Sequence, residues 1–548
     1  MRTWLLAVSF GVFAAQATPP RDSPARAETG TAVVRGHVRS AATGDPLHRV
    51  RLTFNGPNPT PPSTVTNTRG EFEMTGLLAG TYSITATRAG YLTQFYGQQR
   101  PHEAGRTVEV RAGEVIEAID MALARGGVLA GSITDDVGDP YPGVHVEALE
   151  FRYLRGRRLL LQTASATTND LGQFRIGALA PGTYFLRAST QDTWESDDGK
   201  LTYAYAITYY PGVTGSDQAQ SVNVAVEQPF AGLDFGVRPG RAARITGIMQ
   251  NAAGEPLASQ HVSLGRVHRA AAGALFATQG AGSTRTDRSG SFQFPSLSPG
   301  EYIVRSGGDP DAAGVPLVLA DGDERHVVLM PRRASAITGS IVTDEGTPAN
   351  FSSGRIRVVP IAADPESLLP SFTAPSATDV ARDWTFRIGN VDGQYLFRVT
   401  GLPAEWMLGA VLLRGRNIVD APVELRPRAG DTSGLQIVLS RKGAKIEGVV
   451  VHPDGTPAPD CTVVVFSADA AHWTIASRFV KAVRPDASGR FAVGGLPAGV
   501  YAAVAREYVA DGQWEDPGFL NALKPFAASV QLGEGEAEQV SLRLEPPR

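Results

Sequence analysis

The chain has one cysteine, Cys461, in 548 residues. That excludes an intrachain disulfide framework and a cysteine-cluster metal site. Lysine is almost as scarce. Only Lys200, Lys442, Lys445, Lys481 and Lys524 stand among the 51 basic residues; the rest are arginines. None of the nine histidines has a glutamate three residues later, and none forms His-Glu-x-x-His. The sequence pattern of a catalytic zinc site is therefore missing. So are a Gly-x-Ser-x-Gly nucleophile elbow and a phosphate-cradling Gly-Lys-Ser/Thr loop. The net charge of -4 gives no electrostatic basis for a nucleic-acid partner. Helical periodicity is nearly absent, with weak exceptions at 366–369 and 517–523.

What is there points to short strands and many turns. Gly and Pro number 60 and 38, without a collagen period. Hydrophobic residues at 42% and charged residues at 19% describe a globular chain. The length predicts about three to five domains.

The N-terminus reads as an export signal. Arg2 precedes an apolar run from Trp4 to about Ala15, and Ala15-Gln16-Ala17 follows as a small-x-small cleavage site. The run is too short to span a bilayer, which needs about 20 residues. No later stretch holds 18 uninterrupted apolar residues, so no transmembrane segment is expected in the mature chain.

The strongest signal is self-similarity. Asn67-Thr68-Arg69-Gly70-Glu71-Phe72 is followed by Leu77 and Gly80-Thr81-Tyr82. The same spacing recurs around Phe174 and Tyr184, Phe292 and Tyr302, and Phe491 and Tyr501. A weaker copy has Asp392-Gly393, Phe397 and Leu402-Pro403, with Glu405-Trp406 in place of the Gly-x-Tyr signal. Each copy opens on an apolar strand interrupted by glycine: Gly36, Gly131, Gly247, Gly339 and Gly448. Interior glycine marks a bulge or a close backbone approach. A Gly-x-Pro turn follows, as at Gly44-Asp45-Pro46 and Gly455-Thr456-Pro457. Each copy closes on alternating strands, as at Val530-Gln531-Leu532 and Val540-Ser541-Leu542. About seven short strands per ~100 residues predict an antiparallel β-sandwich.

The glycine strand, the Gly-x-Pro turn, the Asp/Asn-x-x-Gly-x-Phe hairpin and the Leu-x-Pro-Gly-x-Tyr corner resemble the carboxypeptidase regulatory-like domain. That resemblance implies a transthyretin-like, immunoglobulin-like sandwich, close in pattern to pilin B-type domains and to starch-binding, carbohydrate-binding-like folds. It implies a non-catalytic accessory role and transfers no active-site residue. Pilin B-type domains often carry a Lys–Asn isopeptide bond, but the first, third and fourth copies contain no lysine.

The expected organisation is a signal peptide at 1–17, a flexible leader at 18–30, and sandwiches at 31–124, 125–239, 240–332, 333–441 (divergent) and 442–548. Phe72, Phe174, Phe292, Phe397 and Phe491 are expected core residues. Tyr82, Tyr184, Tyr302 and Tyr501 are expected tyrosine corners, rings buried and hydroxyls on backbone. The Asp/Asn hairpins read as turns, because calcium needs six to eight oxygen ligands and these carboxylates stand nearly alone.

Variable loops on a rigid sandwich are where function sits. The second copy is the richest, with Trp194 among four carboxylates, followed by Tyr203, Tyr205, Tyr209 and Tyr210. These aromatics read either as platforms for sugar or peptide, or as caps on the core of an edge strand. The expected product is an exported, non-enzymatic binding or scaffold array of the bacterial cell envelope, with no cofactor and no metal site. Its partner would be an unidentified envelope protein or polysaccharide. The alternatives are a carbohydrate-binding protein and an accessory module of an envelope peptidase system.

Overall fold

The computed structural model describes residues 30–544, apart from 59, 101, 104, 226–228, 270–275, 307–310, 334, 347–350, 364–374, 392, 404 and 426–430. The signal peptide, nearly all of the leader and the helical exception at 366–369 lie outside the described residues. The second exception, Pro517–Leu523, is an α-helix, started by the Asp516 carboxylate, which accepts from Gly518 N at 2.9 Å.

Among the described residues the strands form five pairs of larger sheets and two small ones. Unit 1 runs from strand Ala32–Ser40 to Met121–Leu123, and unit 2 from Gly127–Thr134 to Phe235–Gly236. Unit 3 runs from Ala243–Met249 to Glu324–Leu329, unit 4 from Ser335–Thr343 to Thr432–Ser440, and unit 5 from Ala444–Val451 to Ala537–Arg543. Every unit packs its own core, and among the described residues no core cluster draws from two units. The architecture is a tandem all-β sandwich array. Within it, each opening strand pairs antiparallel with its hairpin strand and parallel with the closing strand.

The opening glycine explains that second pairing. Gly36, Gly131, Gly247, Gly339 and Gly448 stand in register with Phe72, Phe174, Phe292, Phe386 and Phe491. A Cβ at these glycines would lie 2.0–2.5 Å from a carbonyl oxygen of the closing segment. The glycine is a close-approach position, which any side chain would force open.

Unit 4 corrects the reading of its repeat. The hairpin phenylalanine is Phe386, not Phe397, and Trp384 occupies the glycine position of the turn with φ +65°. Trp384 N donates to Ala381 O as Gly70 N donates to Asn67 O. The corner aromatic is the buried Tyr395, after Gly393; Glu405-Trp406 is not its substitute. Glycine follows the apolar residue after the hairpin by two positions here (Val391, Gly393) and by three elsewhere (Leu77, Gly80), so the spacing broke. Phe397 is buried on the same strand as Tyr395 and serves the core there. Trp384 holds a left-handed backbone that a bulky residue adopts at a cost. Its ring is buried and meets Phe351 edge-on at 5.4 Å between centroids.

Candidate functional site

The repeated polar residues are occupied by the fold. Asn67 Oδ1 accepts from the amides of Arg69 and Glu71 at 2.8 and 3.1 Å. Asp287 Oδ1 accepts from Ser289 and Ser291 at 2.8 and 2.9 Å, and Asp486 Oδ1 from Ser488 and Arg490 at 2.9 Å each. The Ser488 hydroxyl, joined by these amides, holds the Asp486 carboxyl below its ordinary range. The corner tyrosines are equally engaged. Tyr184 donates to Ala180 O at 2.8 Å, Tyr302 to Ser298 O at 2.8 Å and Tyr501 to Pro497 O at 2.7 Å. Tyr82 donates to Leu78 O at 3.0 Å and also meets Asn58. Among the described residues, no three His, Cys, Asp or Glu side chains gather as a metal set.

Two units carry features outside the repeat: unit 5 has the helix Pro517–Leu523, and unit 2 has an aromatic hairpin. Strands Thr193–Glu195 and Thr202–Tyr205 form a hairpin, extended by Pro239–Arg241 into a small sheet of its own. Antiparallel register places Trp194 opposite Tyr203, and the two rings stack at 5.7 Å between centroids. Trp194 also meets Tyr205 at 4.7 Å, and Tyr205 meets Tyr141 at 5.2 Å. The buried Tyr205 donates its hydroxyl to Asp136 at 2.8 Å, and Tyr141 donates to Asp192 at 2.5 Å. Burial, then Asp136, push the Tyr205 hydroxyl above its ordinary range. The acidic loop is thus partly engaged: Asp192 serves Tyr141, and Asp198 accepts from Ser196 Oγ at 2.6 Å.

Trp194, Tyr203 and Tyr205 are brought together; Tyr209 and Tyr210 are not part of that group. The Tyr210 ring meets Phe235 at 5.8 Å; like Trp194 it packs against the unit 2 core, of which Tyr205 is itself a member. Tyr209 pairs with Arg187 across the sheet and lines a cleft between units 2 and 3.

That cleft has a volume of about 760 Å³. Leu149, Leu159, Leu160, Val267 and Val318 give it apolar walls. Its floor carries charge. The fully buried Glu147 receives Arg187 Nε at 2.6 Å. Burial works against the Arg187 charge, and Glu147 outweighs it, so the guanidinium stays firmly protonated. Arg266, 3% exposed, donates to Thr190 O at 3.1 Å and Pro299 O at 3.0 Å. Burial lowers its affinity for the proton. Contacts with Thr190 also come from Ser298 Oγ at 3.0 Å, so the floor joins two units.

Three further junctions were not legible as sites. His102 Nε2 lies 2.9 Å from Glu150 Oε1, tying unit 1 to unit 2. Glu103 meets Arg484, and Arg106 meets Asp460 at 3.0 Å, tying unit 1 to unit 5. Arg478 grips Asp420 through Nε and Nη2 at 2.9 and 2.6 Å, tying unit 5 to unit 4. In sequence these are isolated loop charges.

Residues 33–124 match the carboxypeptidase regulatory-like domain, so the first sandwich is of that family. Units 2 to 5 repeat its glycine–phenylalanine register. No curated protein matches the chain. Among solved structures, the Bacillus anthracis TIE protein is similar over 74% of this chain and 72% of its own, at 10% identity and a TM-score of 0.16. The minor pilin GBS52 of Streptococcus agalactiae is similar over 38% of this chain and 95% of its own, at 15% identity and a TM-score of 0.21. The shaft pilin SpaA of Lactobacillus rhamnosus GG is similar over 38% of this chain and 98% of its own, at 14% identity and a TM-score of 0.14. Among the described residues, no helix is long and apolar enough to cross a membrane.

Proposed function

We propose that this chain is an exported, non-catalytic scaffold of the cell envelope that contacts its partner through the aromatic hairpin of unit 2. One observation carries the reading. The motifs shared by the units are consumed by turns, corners and close strand approach, whereas among the described residues the stacked Trp194–Tyr203 hairpin occurs in unit 2. A rigid sandwich holding one distinctive aromatic edge suits recognition of a surface. The export half of the reading rests on the N-terminal apolar run and its Ala15-Gln16-Ala17 site.

A carbohydrate partner is the second reading, favoured by the stacked Trp194–Tyr203 pair, since an aromatic face suits the apolar face of a sugar ring. A glycan array on the full mature chain separates the two. Saturable binding lost on Trp194→Ala and Tyr203→Ala assigns a sugar; silence on the array, with partner adducts forming at the hairpin in the envelope, assigns a protein. Turnover in a broad hydrolase screen, with or without added zinc, would overturn the non-catalytic reading.

A further inference from the structure

The cleft between units 2 and 3 holds an unusual balance of charge. Two guanidiniums, Arg187 and Arg266, converge beneath it, and at contact distance one carboxylate, Glu147, answers them through Arg187. Arg266 is sealed by protein and held by carbonyl oxygens, which satisfy its N–H groups without cancelling its charge. Burying a cation in this way is costly unless a negative charge comes near. Arg187 bonds Glu147 through Nε and also meets Tyr209, and both Arg187 and Tyr209 line the cleft, where a guanidinium and a hydroxyl can receive an oxyanion. Above it stand Leu159, Leu160 and Val318. Apolar walls with a few convergent polar groups describe a small-molecule site, and junctions between domains are a preferred place for one.

We propose that this cleft binds a small amphiphilic anion. Its carboxylate or phosphate head sits on Arg187 and Tyr209, with Arg266 supplying the second positive charge. Its apolar body lies against Leu159, Leu160 and Val318. Asp321 and Glu301 at the margin disfavour an anion with charge at both ends. The proposal is independent of what the aromatic hairpin contacts, because Trp194, Tyr203 and Tyr205 do not line the cleft.

The test is calorimetric titration of the full mature chain with octanoate, octyl phosphate, octanol and octylammonium. The expected result is saturable one-to-one binding of octanoate, octyl phosphate or both; which of the two binds more tightly assigns the head group. Octanol and octylammonium should bind at least tenfold more weakly. Arg187→Gln should weaken the anion at least tenfold, but it removes the ion pair with the buried Glu147 and so destabilises the unit. Val318→Glu keeps the proposal testable: Val318 is 64% exposed, so the fold tolerates the change, and a carboxylate on the wall should abolish anion binding. Absence of binding by both anions overturns the proposal. So does equal binding of octylammonium, or anion binding unmoved by Val318→Glu.

Discussion

Arg484 Nη1 and Glu103 Oε2 lie 2.8 Å apart between the fifth unit and the first, their side chains only 3% and 1% exposed. Glu103 also accepts from the amides of Gln99 and Arg100 at 3.0 and 3.1 Å, so it fixes a loop of unit 1 while it docks unit 5. Around this pair, Arg106 donates to Pro459 O at 2.8 Å, Arg100 donates to Glu507 O at 3.0 Å, and Asp511 N donates to His102 O at 2.8 Å. Gly156 N, at the tip of the long unit 2 hairpin, donates to Gly512 O at 3.2 Å. The array returns on itself instead of running out as a string.

Breaking that pair should open the return contact without melting the units. Removing one member of a buried ion pair costs about 3–5 kcal/mol, because the other is left uncompensated. Arg484→Met should therefore raise the radius of gyration measured by small-angle scattering while the far-ultraviolet circular dichroism of the strands is unchanged. Each unit has a core of its own, so loss of docking need not unfold any of them.

The close-approach glycine should be intolerant and its neighbour indifferent. A Cβ at Gly448 would stand 2.0 Å from Val540 O, a backbone atom that cannot swing aside. Gly448→Ala should cost about 2–3 kcal/mol by forcing the parallel pair apart. At Gly494 the nearest atom to a new Cβ is Lys445 Cγ at 4.0 Å, so Gly494→Ala should stay within about 0.5 kcal/mol. Urea denaturation of the two variants checks both values.

A corner hydroxyl should matter modestly. Tyr501→Phe keeps the buried ring and loses the 2.7 Å bond to Pro497 O. The cost should be about 1 kcal/mol, read from the same denaturation curves. Partner binding through unit 2 should be unaffected.

Glu515 should make unit 5 less stable as the pH rises. Burial holds its carboxyl above the ordinary range, so the folded chain keeps this proton better than the unfolded chain does. Stability at this site is highest below the ordinary carboxyl value. It falls as the pH rises from there through the raised value, and stays reduced at neutral pH. Glu515→Gln removes that dependence. Its melting temperature should exceed the parent's at pH 7 and equal it at about pH 3, where both side chains are neutral.

The core was legible because its demands are local. Glycine at a close approach, phenylalanine opposite it and tyrosine at the corner follow from strand period and turn chemistry, and four units announce them at fixed spacing. Unit 4 was misread because one residue fewer precedes Gly393 and Trp384 sits where glycine was expected. The sequence cannot reveal that buried contacts hold a tryptophan in a left-handed turn. The aromatic hairpin was legible as a cluster, but not its division. Trp194, Tyr203 and Tyr205 lie on paired strands with Tyr205 in the core, while Tyr209 turns to the cleft and Tyr210 packs on the core beside Phe235. The junction charges were hidden altogether. Glu103, Glu147, Arg187, Arg266 and Arg484 look like solvated residues in sequence, and the folded chain buries them.

The central claim is that recognition resides on the unit 2 hairpin of an otherwise architectural array. The most direct measurement places a photo-cross-linking side chain at Tyr203, or at the exposed Val137 of the same unit, in the full chain within the cell that makes it. The account predicts one discrete adduct, protein or polysaccharide, from position 203 and none from position 137. No adduct at 203, or the same adducts from both positions, would contradict it.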